Sequence, residues 1–226
     1  KQHQQRLEHL AHFDALTQLP NRMLLADRLQ LAMAQTERER KMLAVCYLDL
    51  DGFKPVNDEF GHAAGDRMLI EVAQRLRHCV RGGDTVARLG GDEFVLLFAD
   101  VHDVHECDHA TSRVLSALST PFAIGGNSIS ISASMGVTLY PTDGSDADTL
   151  LRHADQAMYL AQQAGRNRYH LFDPESDRRA RARRDEISRI RQALTDKEFV
   201  LHYQPKVNMR EGRVLGAEAL IRWQHP

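Results

Sequence analysis

Apolar and polar positions follow two different periods along this chain, and each period predicts a different kind of element. A nearly continuous apolar run at Met42–Leu50 predicts a buried central strand. Strict alternation at Ser128–Leu139 predicts a second long strand. Two short strand patterns, Val86–Leu89 and Glu93–Phe98, flank a Gly-Gly-Asp turn, which predicts a hairpin.

Helical periodicity fills the stretches between these strands. Asn21 is a predicted N-cap for a helix that reaches Arg40. Three further helices are predicted at Ala64–Val80, Val104–Leu118 and Asp146–Ala164. A loop is predicted between the central strand and the helix that begins at Ala64, and a last strand is predicted at Arg168–Phe172. This order predicts an α+β (α/β sandwich) domain over residues 14–172, in which helices pack on a sheet.

The two ends of the chain differ from this central domain. Leu7, Leu10 and Phe13 lie at helical spacing, so residues 1–13 form a predicted amphipathic linker helix. Residues 173–197 form a predicted interdomain helix, because acids that can pair flank a run of arginines; a nucleic-acid patch is the alternative. Residues 198–226 contain two predicted strands of a second, incomplete domain, Phe199–Gln204 and Val214–Trp223.

Composition narrows the class of protein. The 29 basic and 31 acidic side chains give a formal net charge of -2, and 42% of the residues are hydrophobic. This balance is typical of a soluble globular domain and argues against a dedicated DNA-binding protein. No apolar run approaches ~20 residues, so no membrane-spanning helix is predicted. The three cysteines form no C-x-x-C pair, and we expect a reducing, cytoplasmic location.

Two acidic motifs fall where predicted strands end. Asp49 and Asp51 close the central strand and run into Gly52, where carboxylates can hold Mg²⁺. An Asx turn that only closes the strand is the alternative. Asp92 and Glu93 lie at the tip of the predicted hairpin. If this hairpin lies beside the central strand, three carboxylates meet, and a pair of Mg²⁺ ions is the usual means of neutralising them.

A third motif joins an amide and a carboxylate. Asn57 and Asp66 can read the donor and acceptor edge of a purine, because a carboxylate accepts from the N–H groups that guanine displays. The alternative is a loop followed by a helix cap. The histidines at 102, 105 and 109 share one predicted helix face, which fits either a metal site or a solvated surface.

Taken in order, these motifs resemble those of one family. Between Asp14 and Phe172 the chain resembles the GGDEF family of diguanylate cyclases in the stretches DALTQLPNR, DLDGFKPVNDEFGHAAGD, RLGGDEF and DQAMYLAQQAGRNRY. The later stretches FVLHYQPKVN and EALIRW resemble the start of an EAL-family cyclic di-GMP phosphodiesterase. The resemblance implies a central five-stranded, antiparallel-containing sheet of the type shared by adenylyl cyclases and polymerase palms. A fragment of a TIM-like barrel follows it.

The resemblance also implies an activity, the condensation of two GTP into cyclic di-GMP with release of pyrophosphate. Catalysis needs a homodimer, because one site cannot present both substrates face to face. The implied cofactor is Mg²⁺, two ions per site, with Mn²⁺ as a substitute. GTP and cyclic di-GMP are the expected partners, with no nucleic acid and no direct membrane contact. The alternative function is a GTP- or cyclic di-GMP-binding regulatory domain that controls an EAL phosphodiesterase.

Individual residues receive roles from the same resemblance. The metal ions are expected on Asp49, Asp92 and the Leu50 carbonyl. Glu93 is either a further metal ligand or helps to activate the attacking 3′-hydroxyl. The GTP-binding residues are Asn57 and Asp66 at the guanine, the backbone of Gly52, Phe53 and Lys54 at the terminal phosphates, and Arg166 at the γ-phosphate. Gln162 stands where the family usually has Lys, which removes one positive charge and predicts weaker GTP binding.

Two further sites are implied. Arg81 and Asp84 match the R-x-x-D inhibitory site that binds product, and a helix C-terminus capped by Gly82 is a compatible interpretation of the same residues. The positions that match the EAL site are Gln204, Glu218 and Arg222. Because the other ligands of that family come from later barrel strands, we expect no phosphodiesterase activity from this chain.

Overall fold

The computed structural model describes residues 11–175, 187 and 189–224. It consists of two compact units, residues 1–177 and 178–226. The predicted linker helix at residues 1–13 lies outside the described residues except for its last three positions. Residues 176–186 and 188 of the predicted interdomain helix also lie outside them. No described helix is both long enough and apolar enough to cross a membrane.

The first unit follows the predicted order of elements, adds a short helix and a short strand that were not predicted, and divides the predicted strand at Ser128–Leu139 into two. Its elements are α1 (Arg22–Glu39), β1 (Met42–Asp51), α2 (Phe53–Phe60), α3 (His62–Cys79), β2 (Thr85–Gly90), β3 (Glu93–Val101), α4 (Val104–Ser119), β4 (Phe122–Ile124), β5 (Asn127–Ile129), β6 (Ser132–Tyr140), α5 (Ala147–Gln163) and β7 (Arg168–Leu171). Asn21 is the N-cap of α1, as predicted, because its side chain accepts from the Met23 and Leu24 N–H groups.

Five strands form one sheet in the order β2-β3-β1-β6-β7. Neighbouring strands are antiparallel except for β6 and β7, which are parallel. The predicted α+β class, with a five-stranded, antiparallel-containing sheet flanked by helices, is confirmed. Strand β1 lies in the centre because it is apolar on both faces, and most of its residues are buried.

Each face of the sheet has its own hydrophobic core. Even-numbered residues of β1, such as Cys46 and Leu48, enter a core that contains residues of α3 and α4. Odd-numbered residues, such as Val45 and Tyr47, enter a second core with residues of α1 and α5. Because alternation continues along the strand, Asp49 projects from the same face as Tyr47.

Gly136 on β6 allows α5 to pack closely against the sheet. A Cβ atom at this position would lie 1.9 Å from the Ala154 carbonyl oxygen and 2.1 Å from the Met158 backbone nitrogen. Only glycine avoids this collision with helix backbone. The close packing brings the end of α5 to β1, where Gln162 hydrogen-bonds Asp49.

The predicted loop after the central strand is wrong. It contains the short helix α2, and the following helix α3 begins at His62 rather than Ala64. Gly52 and Pro55 have the character of loop residues, but Gly52 is the N-cap of α2 and Pro55 lies in its first turn. A proline there costs no hydrogen bond, because first-turn N–H groups have no helical partner.

The predicted long strand at Ser128–Leu139 is also wrong, because it is two strands. Strand β5 pairs with β4 in a separate hairpin around Gly125 and Gly126, which both have positive φ. Strand β6 begins at Ser132 and pairs with β1 in the main sheet. Ile129 and Ile131 are both buried, so the alternating pattern continues across the break and conceals it.

The described part of the second unit contains a β-hairpin that includes both predicted strands. Its strands β8 (Phe199–Asn208) and β9 (Arg213–Trp223) are antiparallel, and their described residues form no closed barrel. A two-stranded hairpin cannot bury both of its faces. Large apolar side chains are accordingly exposed at Leu201, Tyr203, Val207, Val214, Leu215 and Ile221.

Candidate functional site

Three acidic residues lie where β1 ends and β2 turns into β3. Asp49 lies directly opposite Glu93 in the β1–β3 register, and Asp92 precedes Glu93 in the turn. Gly90 and Gly91 have φ of 146° and 52°, conformations that favour glycine and let the chain reverse tightly. We call Asp49, Asp92 and Glu93 the acid edge.

Negative charge accumulates at the acid edge. The pKa of Asp49 is raised to about 7, first by burial and then by the charges of Asp92, Asp51 and Glu93. Gln162 Nε2 donates to Asp49 Oδ1 at 2.8 Å, which opposes the rise. Within the described residues, none of the acid-edge carboxylates forms an ion pair. Because like charges repel, this arrangement favours the binding of cations.

The donor chemistry of the acid edge suits a hard divalent cation. Carboxylate oxygens and backbone carbonyls, such as that of Leu50 beside Asp49, are the ligands that Mg²⁺ takes. Among the residues that the structure describes, no three His, Cys, Asp or Glu side chains are arranged closely enough to hold a metal ion. The donor types therefore fit Mg²⁺, and Asp49, Asp92 and the Leu50 carbonyl are the groups that would hold it.

A cleft of about 530 Å³ opens beside the acid edge. Its volume lies within the range of small-molecule binding sites. Asp51 and Pro55 form part of its lining. The rest of the lining consists of predicted metal- and GTP-binding positions, namely Asp49, Leu50, Gly52, Phe53, Lys54, Asp92, Gln162 and Arg166.

The N-terminus of α2 borders this cleft. Gly52 is its N-cap with φ of 81°, and no side chain caps the helix. The first-turn N–H groups of Phe53 and Lys54 therefore keep their capacity to bind an anion. Arg166, in the turn after α5, adds a positive charge to the same cleft, and 69% of its side chain is exposed.

Asp51 has a structural role, although its motif indicated a metal ligand. Its carboxylate accepts from Ser132 Oγ at 2.7 Å, Ser134 Oγ at 2.8 Å and the Asn167 N–H at 3.1 Å. Arg166 and Asn167 have φ of 61° and 49°, which are uncommon for residues other than glycine. Asp51 thus holds the turn that carries Arg166. No sequence motif indicated this role of Asp51.

Asn57 and Asp66 lie on two helices that approach each other closely. Asn57 lies on α2 and Asp66 lies near the start of α3. The helices approach at Gly65, where a Cβ atom would lie 2.0 Å from Asn57 Oδ1. Neither side chain lines the cleft, and neither has a hydrogen-bond partner in the described part of the chain. Both amide and carboxylate are therefore available to a ligand.

Arg88 fixes the turn that presents Asp92, and the motifs did not predict this role. Its guanidinium donates to the Gly91 carbonyl from Nε at 3.1 Å and from Nη2 at 2.8 Å, and to Asp14 Oδ1 from Nη1 at 2.8 Å. Thr17 donates to the same Asp14 oxygen through its N–H and its hydroxyl. Burial alone would raise the pKa of Asp14, but these hydrogen bonds together lower it.

Glu93 is held by a tyrosine from β1. The Tyr47 hydroxyl donates to Glu93 Oε2 at 3.0 Å. Burial, and then the charge of Glu93, raise the pKa of Tyr47, so the hydroxyl stays protonated. Sequence reasoning missed this contact because 46 residues separate the partners.

The predicted inhibitory residues lie in the turn between α3 and β2, at residues 81–84, which we call the R-x-x-D turn. Asp84 accepts from the Arg81 N–H at 2.8 Å and from the Ala99 N–H at 3.1 Å, so it braces the turn. The interpretation of Gly82 as a helix cap is wrong. Helix α3 ends three residues earlier, and its C-cap is Val80 with φ of -114°.

The Arg81 side chain is paired with an acid on α4. Its Nη1 lies 3.1 Å from Glu106 Oε1, although 72% of the arginine side chain is exposed. Glu106 also accepts from the His102 N–H and pairs with His102 Nδ1 at 3.0 Å. The rings of His105 and His109 are 4.5 Å apart, and within the described residues these histidines form no metal-binding group.

Family models match the two units in the order that the motifs indicate. Residues 11–168 match the model described as "Diguanylate cyclase, GGDEF domain". The chain belongs to the GGDEF family. Residues 187–226 match the EAL domain model. The sequence-based recognition of a GGDEF domain followed by part of an EAL domain is therefore confirmed.

Relatives of this GGDEF chain are named for two activities, diguanylate cyclase and cyclic di-GMP phosphodiesterase. The bifunctional diguanylate cyclase/cyclic di-GMP phosphodiesterase MucR of Pseudomonas aeruginosa is 47% identical over 217 residues, which are 96% of this chain and 32% of MucR. The cyclic di-GMP phosphodiesterase PdeR of Escherichia coli is 40% identical over 223 residues, 99% of this chain and 33% of PdeR. The chain thus spans about a third of these relatives.

A solved GGDEF domain matches the fold of the first unit. The structure of the GGDEF domain of TpbB (YfiN) from Pseudomonas aeruginosa superposes with a TM-score of 0.72 at 38% identity. The match covers 75% of this chain and 98% of that one. The five-stranded sheet and its flanking helices are therefore those of a GGDEF domain.

In the EAL part, the predicted site residues lie on the β8–β9 hairpin. Gln204 is directly opposite Glu218, and Arg222 is opposite Val200. Lys206 Nζ lies 3.4 Å from Glu218 Oε2. Directly opposite residues share one face of a strand pair, so Gln204 and Glu218 lie side by side.

Proposed function

We propose that the first unit is a diguanylate cyclase domain that condenses GTP into cyclic di-GMP. The observation that carries this proposal is the cleft, because it joins the excess negative charge of the acid edge to the α2 N-terminus and Arg166. A nucleoside triphosphate with divalent cations matches this distribution of charge. The cations neutralise the acids, while N–H groups and the guanidinium bind phosphate oxygens.

The proposed cofactor is a pair of Mg²⁺ ions, for which Mn²⁺ can substitute. Asp49, Asp92 and the Leu50 carbonyl are the proposed ligands. When bound, the ions neutralise phosphate charge and make the 3′-hydroxyl a stronger nucleophile. Glu93 either completes their coordination or accepts the hydroxyl proton.

The other residues of the site bind and orient GTP. Asp66 accepts from guanine N–H groups, and the Asn57 amide can donate and accept at the base edge. The α2 N-terminus at residues 52–54 and the Arg166 guanidinium bind the terminal phosphates. Asp51 keeps Arg166 in place through the turn that it holds.

Condensation requires two copies of the domain. The 3′-hydroxyl oxygen of one GTP bonds to the α-phosphorus of the other, the bond to the β-phosphate oxygen breaks, and pyrophosphate leaves. A second, identical step closes the ring and releases a second pyrophosphate. Two-fold symmetry places two identical sites face to face, so a homodimer is part of the proposal.

Product feedback through the R-x-x-D turn is a further part of the proposal. The exposed Arg81 guanidinium presents a planar fork of donors that suits a phosphate or the guanine edge. Asp84 can accept from guanine N–H groups in addition to the two backbone N–H groups that it already binds. Because Glu106 pairs with Arg81 Nη1, the product competes with Glu106 for this nitrogen.

A second candidate function is a GTP-binding domain that regulates an EAL phosphodiesterase. Gln162 favours this candidate, because it gives Asp49 a neutral hydrogen bond where the family usually has a cation. The 40% identity to PdeR, a cyclic di-GMP phosphodiesterase, favours it as well. The intact acid edge favours the cyclase.

Binding and turnover measured on the same preparation separate the two functions. Calorimetry with a non-hydrolysable GTP analogue, with and without Mg²⁺, measures binding, and chromatography of a GTP reaction measures cyclic di-GMP. A cyclase gives Mg²⁺-dependent binding and product. GTP binding by a dimer that forms no product supports the regulatory function, and absence of Mg²⁺-dependent binding contradicts both.

A further inference from the structure

The three carboxylates of the acid edge are held in different ways. Asp49 accepts from Gln162, and Asp92 has no hydrogen bond in the part of the chain that the structure describes. Glu93 accepts one hydrogen bond among the described contacts, from Tyr47 to Oε2, which leaves Oε1 without a donor. Tyr47 is therefore the described side chain that constrains Glu93.

The sheet dictates that Tyr47 can reach Glu93. Its register partner on β3 is Val95, so Glu93 is its diagonal neighbour on the same face of the sheet. Diagonal neighbours are within reach of an aromatic side chain. Tyr47 is 9% exposed and packs in the second core with residues of α1 and α5. This packing holds its ring in place.

We infer that Tyr47 is a positioning residue for Glu93, which it holds by one oxygen while the other stays available to a cation or to the substrate hydroxyl. This inference rests on the proposed cyclase function. A neutral donor suits this task, because it restricts the carboxylate without cancelling its charge. A lysine or arginine in the same place would compete with the metal ion for Glu93.

The chain offers a matched control for the test. Tyr47→Phe removes one hydroxyl and keeps the ring in the core. Tyr140 lies in the same core, is 4% exposed, and donates from its hydroxyl to Glu37, a glutamate outside the cleft. Tyr140→Phe therefore removes the same kind of hydrogen bond without touching the acid edge.

Two measurements on the wild type and both variants test the inference. In the cyclase assay, Tyr47→Phe should lower kcat about tenfold, the effect of losing one hydrogen bond to a charged group. At saturating Mg²⁺, KM for GTP should stay within about twofold, because Tyr47 does not line the cleft. In an electron paramagnetic resonance titration with a non-hydrolysable GTP analogue, the affinity for Mn²⁺ should fall about fivefold. Tyr140→Phe should change none of these values.

The outcomes distinguish the inference from the proposed function. Wild-type kcat and Mn²⁺ affinity in Tyr47→Phe overturn the inference, as does an equal loss in Tyr140→Phe, which would indicate a general effect of core hydroxyls. If the wild type makes no cyclic di-GMP, the cyclase proposal fails and the Mn²⁺ titration alone decides the role of Tyr47. A wild type that binds no Mn²⁺ overturns both.

Discussion

The acid edge and the R-x-x-D turn both carry acidic side chains, but they balance charge in opposite ways. At the acid edge, Asp49 and Glu93 receive hydrogen bonds from the neutral side chains of Gln162 and Tyr47. At the R-x-x-D turn, by contrast, Arg81 pairs with Glu106, and Asp84 is satisfied by two backbone N–H groups.

This difference explains why the two regions suit different ligands. No ion pair among the described residues neutralises the acid edge, so its carboxylates attract a bound cation at full strength. The charges of the R-x-x-D turn are already paired, so a ligand gains only the difference between its own contacts and those that it displaces. Changes at the acid edge should therefore have large effects, and changes to the pairing at the turn should have small ones.

The largest effect is expected for Asp92→Asn. This change keeps the size of the side chain and removes its charge, so cyclic di-GMP formation should fall at least about 100-fold. Chromatography of the GTP reaction with Mg²⁺ measures it. Asp100→Asn, near the other end of β3 and paired with Lys41, is the control and should keep its activity. Near wild-type activity in Asp92→Asn would remove this residue from the metal site.

Arg81→Ala should have the next largest effect. It removes the fork that binds a phosphate or a guanine edge, so the affinity for cyclic di-GMP should fall about 30-fold in calorimetry. Arg38→Ala is the control, because that arginine donates to the Ala34 carbonyl of its own helix. Equal affinity in Arg81→Ala and the wild type would leave the R-x-x-D turn with a structural role alone.

Adding charge beside the acid edge should have a moderate effect. Gln162→Lys replaces a neutral donor to Asp49 by a cation in the phosphate cleft, so GTP should bind about fivefold more tightly. Gln163→Lys adds the same charge one residue later, outside the cleft lining, and should leave GTP affinity unchanged. Calorimetry with the non-hydrolysable analogue measures both. If both variants gain equally, net charge rather than position controls affinity.

The excess negative charge of the acid edge should also lower the thermal stability of the metal-free protein. The folded-state pKa of Asp49, about 7, lies above its ordinary value of 3.8, so the folded state binds the proton more tightly. The stability contribution of this proton is complete below pH 3.8 and is lost as the pH rises through about 7. Asp49→Asn should therefore raise Tm by about 3 °C at pH 8 in EDTA, and by less at pH 5.5. Thermal unfolding that shows an equal change at both pH values would contradict this account.

The smallest effect is expected for Glu106→Gln. An exposed ion pair contributes little, so releasing Arg81 from Glu106 should strengthen cyclic di-GMP binding only about threefold. The gain should disappear when Arg81→Ala is also present, because no guanidinium is then left to release. A gain that persists in the double variant would show that Glu106 acts on the ligand directly.

The sequence predicts those parts of the fold that depend on local patterns. Strand β1 is recognisable because apolar residues on both faces are typical of a central strand. Helix α2 was missed because Gly52 and Pro55 have the composition of a loop, and only the helix geometry shows them as a cap and a first-turn residue. Strand β4 was missed because three residues are too few to show a period. The break between β5 and β6 was missed because the alternating pattern continues across it.

The sequence predicts which residues form the acid edge, but it does not predict which residues contact them. Its acids occur in short motifs, whereas the residues that hold them come from distant parts of the chain. Tyr47 and Glu93 are 46 residues apart, and Gln162 and Asp49 are 113 apart. Sheet register and the packing of α5 on β6 bring these pairs together, and neither is written in a local pattern.

Comparing product formation with dimer formation tests most directly whether the domain is a cyclase that works as a dimer. Cyclic di-GMP made per chain is measured with GTP and Mg²⁺ over a range of protein concentrations, while light scattering measures the dimer fraction. Because the two substrates sit on different copies, product per chain should rise in proportion to that fraction and should be absent in Asp92→Asn dimers. A folded wild-type dimer that binds GTP and Mg²⁺ and releases no cyclic di-GMP would show that the domain is not a cyclase.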